Sequence, residues 1–269
     1  MSSTLEKSQL KDQYSTPEKV KARWNIYEYT SPKTNLIQEA INKLDLKGNE
    51  TILDIGCGDG NFLSHIKASG HKGKLAGLDT NEKMFHKNKQ EGIEFIVGGA
   101  DKLSFPDKSI DIIIAFFMLY HMPNIQKTLH EWNRVLKIEG KLIISTSSQE
   151  NRAKHKKFRK EVEKIIKSEP FPKFSSKFNL RNGKRQLEKV FRVDNTFIYE
   201  REIIIKDSKI YMETLNSIKN FFNPSSEKEW THAMEVIKQK VEDEIKQTGY
   251  FTDNMKRGFF LCSKRSGTS

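Results

Sequence analysis

A chain of 269 residues, 36% hydrophobic and 30% charged, is long enough to bury one α/β core with an added cap, and its clustered apolar runs, such as 110–119, exclude a disordered protein. No apolar run reaches membrane-spanning length and residues 1–13 lack the hydrophobic core of a secretory signal, so a cytoplasmic protein with no membrane partner is expected. Two cysteines, Cys57 and Cys262, build neither a disulfide framework nor a zinc cluster, so no metal is expected, and the net charge of +12 points to an anionic partner only if it is concentrated somewhere.

It is concentrated. Residues 1–150 carry 20 basic against 19 acidic side chains, whereas 152–192 alone carry 15 against 4. A stripe of this kind suits a polyanion such as RNA, because each phosphate contact releases counterions. The alternative is a solvated helix face, and the charge balance of the rest of the chain favours the binding reading.

In chain order, residues 2–16 are polar, and Pro17 opens a helix expected over 18–29 that carries Arg23, Trp24 and Tyr27. Pro32 ends it. Leu36, Ile37, Ala40, Ile41 and Leu44 recur at helical spacing, with Gly48 closing that helix near its C-terminus. Residues 51–62 then read Thr-Ile-Leu-Asp-Ile-Gly-Cys-Gly-Asp-Gly-Asn-Phe, a buried strand running into three alternating glycines and a helix over 61–68. Such a loop admits close approach of a nucleotide and offers N–H groups at the helix start. A dinucleotide fingerprint places its third glycine where Asn61 stands, which argues against NAD.

A second strand over 74–78 ends at Asp79, 25 residues after Asp54, where an acid grips the hydroxyls of a ribose. A helix is expected over 82–91, a short strand over 95–97, then Gly98-Gly99-Ala100-Asp101, whose aspartate suits an adenine amine. The fourth strand, 110–117, spills into Met118-Leu119-Tyr120-His121. A helix over 125–136 precedes Gly140 and a fifth strand, 141–145. The βαβα alternation predicts a doubly wound, mainly parallel sheet with its site at the strands' carboxyl ends. Further on, a basic helix over 152–167 leads to an aromatic and basic stretch, 171–178. A short helix ends over 187–191, a sixth strand spans 197–205, two helices separated by Asn223-Pro224 fill 209–246, and a seventh strand spans 258–264. The segments expected are a helical lid (1–47), a cofactor-binding core (48–150), a basic cap (151–192) and the remaining strands with a helical cap (193–269).

Taken together, Asp54-Ile-Gly-Cys-Gly-Asp-Gly, Asp79, Ala100-Asp101, Phe105-Pro-Asp, Ser109-Ile-Asp111, Leu119-Tyr-His-Met and the run from Arg134 to Gly140 resemble the class I S-adenosylmethionine-dependent methyltransferases of the type-11-like group. The resemblance spans roughly 51–146. It implies a Rossmann-like sheet of seven strands, mainly parallel with an antiparallel last strand and helical cap insertions. It also implies S-adenosyl-L-methionine as cofactor, with Gly56 and Gly58 against its methionine and adenosine parts, Asp79 on the ribose, Asp101 on the adenine amine and Phe116 or Phe117 lining the pocket. Asp54, Cys57, Thr80 and Lys102 complete the expected cofactor-binding set. Two positions depart from the family pattern: Glu139-Gly140 stands for a glycine pair, and Tyr120-His121 for a His-His.

Methyl transfer from a sulfonium needs chiefly alignment of nucleophile and methyl group. Where the acceptor must lose a proton, His121, beside Tyr120 at the mouth of the site, is the candidate base, though the position equally suits a histidine that caps the strand. Neither cysteine suits a cytosine-C5 mechanism. Ala115-Phe-Phe-Met lacks the Pro-Pro motif of enzymes that methylate exocyclic base amines. The basic segment, with Phe158, Phe171, Phe174 and Phe178 interleaved, leads to the expectation of an RNA methyltransferase acting on a base in structured RNA such as rRNA. The rivals are a small-molecule N- or O-methyltransferase, and a cofactor-fold adaptor without chemistry. Oligomeric state is not legible.

Overall fold

Short, largely apolar runs, two of them interrupted by a single aspartate (Asp54 and Asp111), build the centre of the sheet. The computed structural model describes residues 23–87 and 91–265. Its strands are β1 (Thr30–Ser31), β2 (Ile52–Ile55), β3 (Leu75–Asp79), β4 (Ile93–Val97), β5 (Ile110–Phe116), β6 (Leu136–Ser147), β7 (Phe191–Ile205) and β8 (Phe251–Lys264), in the spatial order β1-β7-β8-β6-β5-β2-β3-β4. β4, β3, β2, β5 and β6 pair in parallel, and β8 runs antiparallel to β6. All four residues of β2 are buried, as a strand covered on both faces requires. This is the Rossmann-like, mostly parallel sheet with an antiparallel C-terminal edge that the sequence predicts, with one strand more: the two-residue β1 pairs antiparallel with Ile203 and Glu202 of β7.

The chain forms two compact units. The first is drawn from the described parts of Met1–Lys33, Glu150–Lys173 and Glu200–Lys256; the second from Thr34–Gln149, Phe174–Tyr199 and Arg257–Ser269. The second unit holds the parallel strands between two layers. On one face helix α1 (Leu36–Leu44) and helix α2 (Asn61–Ala68) bury Ala40, Leu44, Phe62, Leu63 and Ile66 against Ile52, Ile112, Ile114 and Ile143. On the other, helix α3 (Ile125–Val135) buries Leu129, Trp132 and Val135 against Leu53, Ile113 and Ile144. Asn35 caps α1 and Asn124 caps α3, each accepting from first-turn N–H groups at 3.0 Å.

The first unit is helical around an aromatic core. Helix α4 (Ala153–Ile165) packs Phe158 against Tyr211 and Phe251, with ring centroids 5.8 and 6.0 Å away. Two short helices of the second unit follow in the chain, α5 (Phe174–Lys177) and α6 (Gly183–Leu187). Helix α7 (Ser208–Asn216) carries Tyr211, and helix α8 (Glu227–Thr248) packs on α4 and α7. Among the described residues no helix is long and apolar enough to cross a membrane.

Several expected boundaries shift. The helix over 18–29 lies partly outside the described residues, and Asn25–Tyr29 is 3-10 rather than α. The helix over 82–91 is a 3-10 turn, Glu82–Lys87, with 88–90 outside the described residues. The left-handed cap of α1 is Asp45, at φ 51°, not Gly48. Gly140 sits inside β6, which already begins at Leu136, because that residue pairs with Ile110 across a register shift. α6 ends at Leu187, so Phe191 starts β7 instead of closing a helix.

Candidate active site

Every element that shapes the site lies in the second unit, at the carboxyl ends of β2, β3 and β5. After β2 the chain turns through Gly56, Gly58 and Gly60, all at positive φ (71°, 56° and 78°). The turn is tied to β3: the Gly56 and Cys57 N–H groups donate to Leu78 O at 2.7 and 3.1 Å, and the Gly58 N–H donates to Asp79 Oδ2 at 3.0 Å. Gly60 N–H donates to Cys57 O, and Asn61 N–H to Asp59 Oδ1. These donors are therefore used within the loop, which offers a nucleotide shape more than hydrogen bonds. A Cβ on Gly58 would meet nothing nearer than Met84 at 4.0 Å, so the space over that residue is open, whereas one on Gly60 would sit 2.6 Å from the Phe95 ring. Gly58 is thus a cradle that a side chain would fill, and Gly60 a point of close packing.

Asp79 also accepts the Asn81 N–H on Oδ1 at 3.0 Å. Its oxygens keep lone pairs for a ribose diol, since a carboxylate offers about four acceptor sites. Asp54, one strand away, is buried; desolvation, with Asp79 and Asp59 close by, pushes its carboxyl up to about 8. At neutral pH it keeps its proton, leaving Asp79 as the charged acceptor of the pair. Cys57 is buried too, its thiol pushed up by desolvation and by Asp54, which suits packing and not nucleophilic attack. Cys262 lies buried in β8 and is raised in the same way.

Asp101 stands on the loop after β4, with its side chain 42% exposed and Lys127 3.9 Å away. That loop is clamped from α3. Arg134 donates to Phe105 O, Leu103 O and Asp107, Glu131 accepts the Leu103 N–H, and Trp132 donates to Ala100 O at 2.8 Å. Thr80 and Lys102 are exposed beside Asp79 and Asp101.

At the tip of β5, Phe117 is held left-handed at φ 53° by its N–H, which donates to Ser145 Oγ at 3.0 Å. Phe116 turns into the helical face against Phe62, centroids 4.7 Å apart, while Arg257 lies 4.8 Å over the Phe117 ring. The 3-10 turn Leu119–His121 sets Tyr120 against His121, ring centroids 4.5 Å apart and tilted by 59°, and His121 lies 5.5 Å from Phe174. Tyr120, His121 and Phe174 thus form one aromatic cluster, just after the β5 tip and its Phe117. Sequence reasoning named three of these for the site and read Phe174 as part of the basic segment. Met118, which a Cβ on Gly56 would meet at 2.9 Å, and Arg257 were not singled out, because only the fold brings them to the loop.

The model of a methyltransferase domain family matches residues 53–144. The stretch it matches holds the glycine loop, Asp79, Asp101 and the β5 tip. The match, over about a third of the chain, is to a methyltransferase domain. Its cofactor is S-adenosyl-L-methionine, and the open space over Gly58 beside the Asp79 carboxylate fits the adenosine part of that molecule. The chain is 31% identical to the demethylmenaquinone methyltransferase of Staphylococcus saprophyticus over 131 residues, 46% of this chain and 56% of that one. It is 35% identical to the protein of the same name from Lactobacillus johnsonii over 116 residues, 40% and 48% of the two chains. The match therefore spans about half the length of these relatives. Among solved structures, the YcgJ protein of Bacillus subtilis (TM-score 0.54, 16% identity, 86% of this chain and 98% of that one) and the [4+2]-cyclase SpnF (0.55, 15%, 86% and 81%) share the fold. The second of these is a cyclase, so this fold by itself does not set the reaction.

The expected cationic stripe is not a uniform surface. Arg152 is buried, the Arg159 guanidinium stacks 3.9 Å from the Phe171 ring, and Lys154 is paired with Glu244 at 2.6 Å, all within the first unit. Phe158 and Phe178 are core residues. Lys157 and Lys160 remain exposed.

Proposed function

We propose that the chain is an S-adenosylmethionine-dependent methyltransferase acting on a small molecule, and that the acceptor carries a flat aromatic or quinol-like ring. The aromatic cluster of Tyr120, His121 and Phe174, following the β5 tip that carries Phe117, supports this reading, because rings gathered in this way can receive a planar apolar partner. The inward turn of Arg152 and the pairing of Lys154 remove part of the cationic display that the RNA reading needs. The similarity to demethylmenaquinone methyltransferases supports the same reading.

When bound, S-adenosylmethionine supplies a methyl group on a sulfonium, already activated for in-line displacement. The residues of this chain bind and orient: Asp79 and Asp101 hold the two ends of the adenosine, the glycine turn leaves room for it, and the aromatic cluster excludes water and fixes the acceptor ring. His121 takes the acceptor's proton where one must leave. Incubating the protein with methyl-labelled cofactor and separate RNA, protein and organic-soluble fractions tests this. Label should enter the organic-soluble fraction; label in RNA alone would overturn the small-molecule reading.

A further inference from the structure

The first unit contains a cationic feature that the methyl-transfer site does not use. Arg152 precedes α4 and Arg159 lies seven residues on, two turns along one helix face, at a rise of about 1.5 Å per residue. The Arg152 side chain is 7% exposed, yet its Nε and Nη2 have no hydrogen-bond partner. Those two N–H groups form one edge of the guanidinium, the edge that meets two oxygens of a carboxylate or phosphate side by side. Arg159 Nε is likewise buried without a hydrogen bond. A Tyr27 ring lies 5.8 Å from the Arg152 guanidinium and Phe171 stacks on Arg159.

Among the described residues, the acids give Arg152 an ion pair at 4.0 Å but no hydrogen bond to its Nε or Nη2. Asp253 comes no nearer to Arg152 than 4.0 Å, and its oxygens already accept the N–H groups of Lys154, His155 and Asn254. Glu163 accepts from the Phe171 N–H at 2.9 Å, and Glu161 pairs with Lys240. The two arginines press on one another: burial and then Arg152 push Arg159 down to about 10, and burial with the same cations holds His155 well below its usual range, neutral beside Tyr211 at 3.0 Å. The start of α4 is satisfied separately by Asp253 and Asn254, so the helix terminus is not where an anion is wanted.

We propose that Arg152 and Arg159 form a binding site for the carboxylate or phosphate group of a small molecule, the paired edge of Arg152 taking two of its oxygens and Arg159 a third contact or the remaining charge. The residues of the site all belong to the first unit. Ligand bound there supplies the hydrogen-bond acceptors that Arg152 Nε and Nη2 and Arg159 Nε lack.

Thermal unfolding of the full chain tests it, with sodium phosphate, sodium acetate or sodium chloride added at matched ionic strength, in the absence and presence of saturating S-adenosylmethionine. Phosphate or acetate should raise Tm beyond chloride by about 3 °C or more once ligand reaches roughly a hundred times its Kd. Whichever anion responds more strongly identifies the group. The increment should vanish in Arg152→Gln and Arg159→Gln, persist in the exposed control Lys157→Gln, and persist with cofactor bound. No increment over chloride, or equal increments in all three variants, would overturn the site, and loss of the increment once cofactor is bound would assign the anion to the cofactor's own carboxylate. Should Arg152→Gln fail to fold, Arg152→Lys keeps the charge without the fork and should lose most of the increment; an unchanged increment there sinks the proposal. Cofactor binding measured in the same samples is independent of this outcome.

Discussion

Asp79 holds Gly58: the carboxylate at the tip of β3 accepts the glycine N–H at 3.0 Å and so fixes the loop after β2 as well as facing the space above it. Replacing Asp79 by Ala therefore removes a ligand contact and loosens the cradle together. S-adenosylmethionine binding by calorimetry should weaken at least about tenfold to a hundredfold, the range for losing a charged hydrogen-bond acceptor. Asp79→Asn, which keeps one acceptor oxygen, should lose less.

Gly60→Ala places a Cβ 2.6 Å from the Phe95 ring at φ 78°, a clash added to left-handed strain. The expected loss of stability is about 1–3 kcal/mol by denaturant titration. Gly48→Ala, at φ 95° with no atom within 4 Å, carries only the strain and should cost less. Equal losses would mean that the ring contact is immaterial.

Asp54 sets a pH dependence of unusual sign for a carboxylate. Its pKa is raised from an ordinary 3.8 to about 8, so between those values the folded state binds the proton that the unfolded state has lost. Stability from this group is fully present below about pH 4 and falls as pH rises through 8, with a slope of up to about 1.4 kcal/mol per pH unit. Asp54→Asn should flatten that decline in urea midpoints measured from pH 5 to 9.

Arg134 ties the Asp101 loop to α3 through Leu103 O, Phe105 O and Asp107. In Arg134→Met, amide exchange should quicken over 101–107 while the β2 and β5 amides keep their protection. Uniform acceleration would instead mean that Arg134 supports the whole unit.

His121→Asn should lower kcat on the small-molecule acceptor by about 10²-fold or more where His121 receives the proton, with S-adenosylmethionine affinity unchanged, whereas Tyr120→Phe keeps the ring and should cost far less. A parallel loss of cofactor binding would make the pair structural.

The parallel core was legible because strands buried on both faces are mostly apolar: 52–55, 75–78 and 110–116 read that way despite Asp54 and Asp111, and α1 and α3 through their spacing. The edges were less legible. Residues 191–196 of β7 and 251–257 of β8 mix polar and apolar side chains, as strands with a wetter face do, and Gly140 looked like a boundary when it lies within β6.

For the site, the residue types and their order along the chain were enough to mark Gly56, Gly58, Asp79 and Asp101 as one cofactor set, since each follows a predicted strand at its carboxyl end. What the tertiary structure alone decided is where hydrogen bonds and charges go. It turned the loop's N–H groups inward to Leu78 and Asp79, brought Phe174 beside His121, and buried Arg152 in what the composition presented as a basic surface. Composition counts charges without regard to direction; the packing of α4 on its aromatic core determines which of them face water.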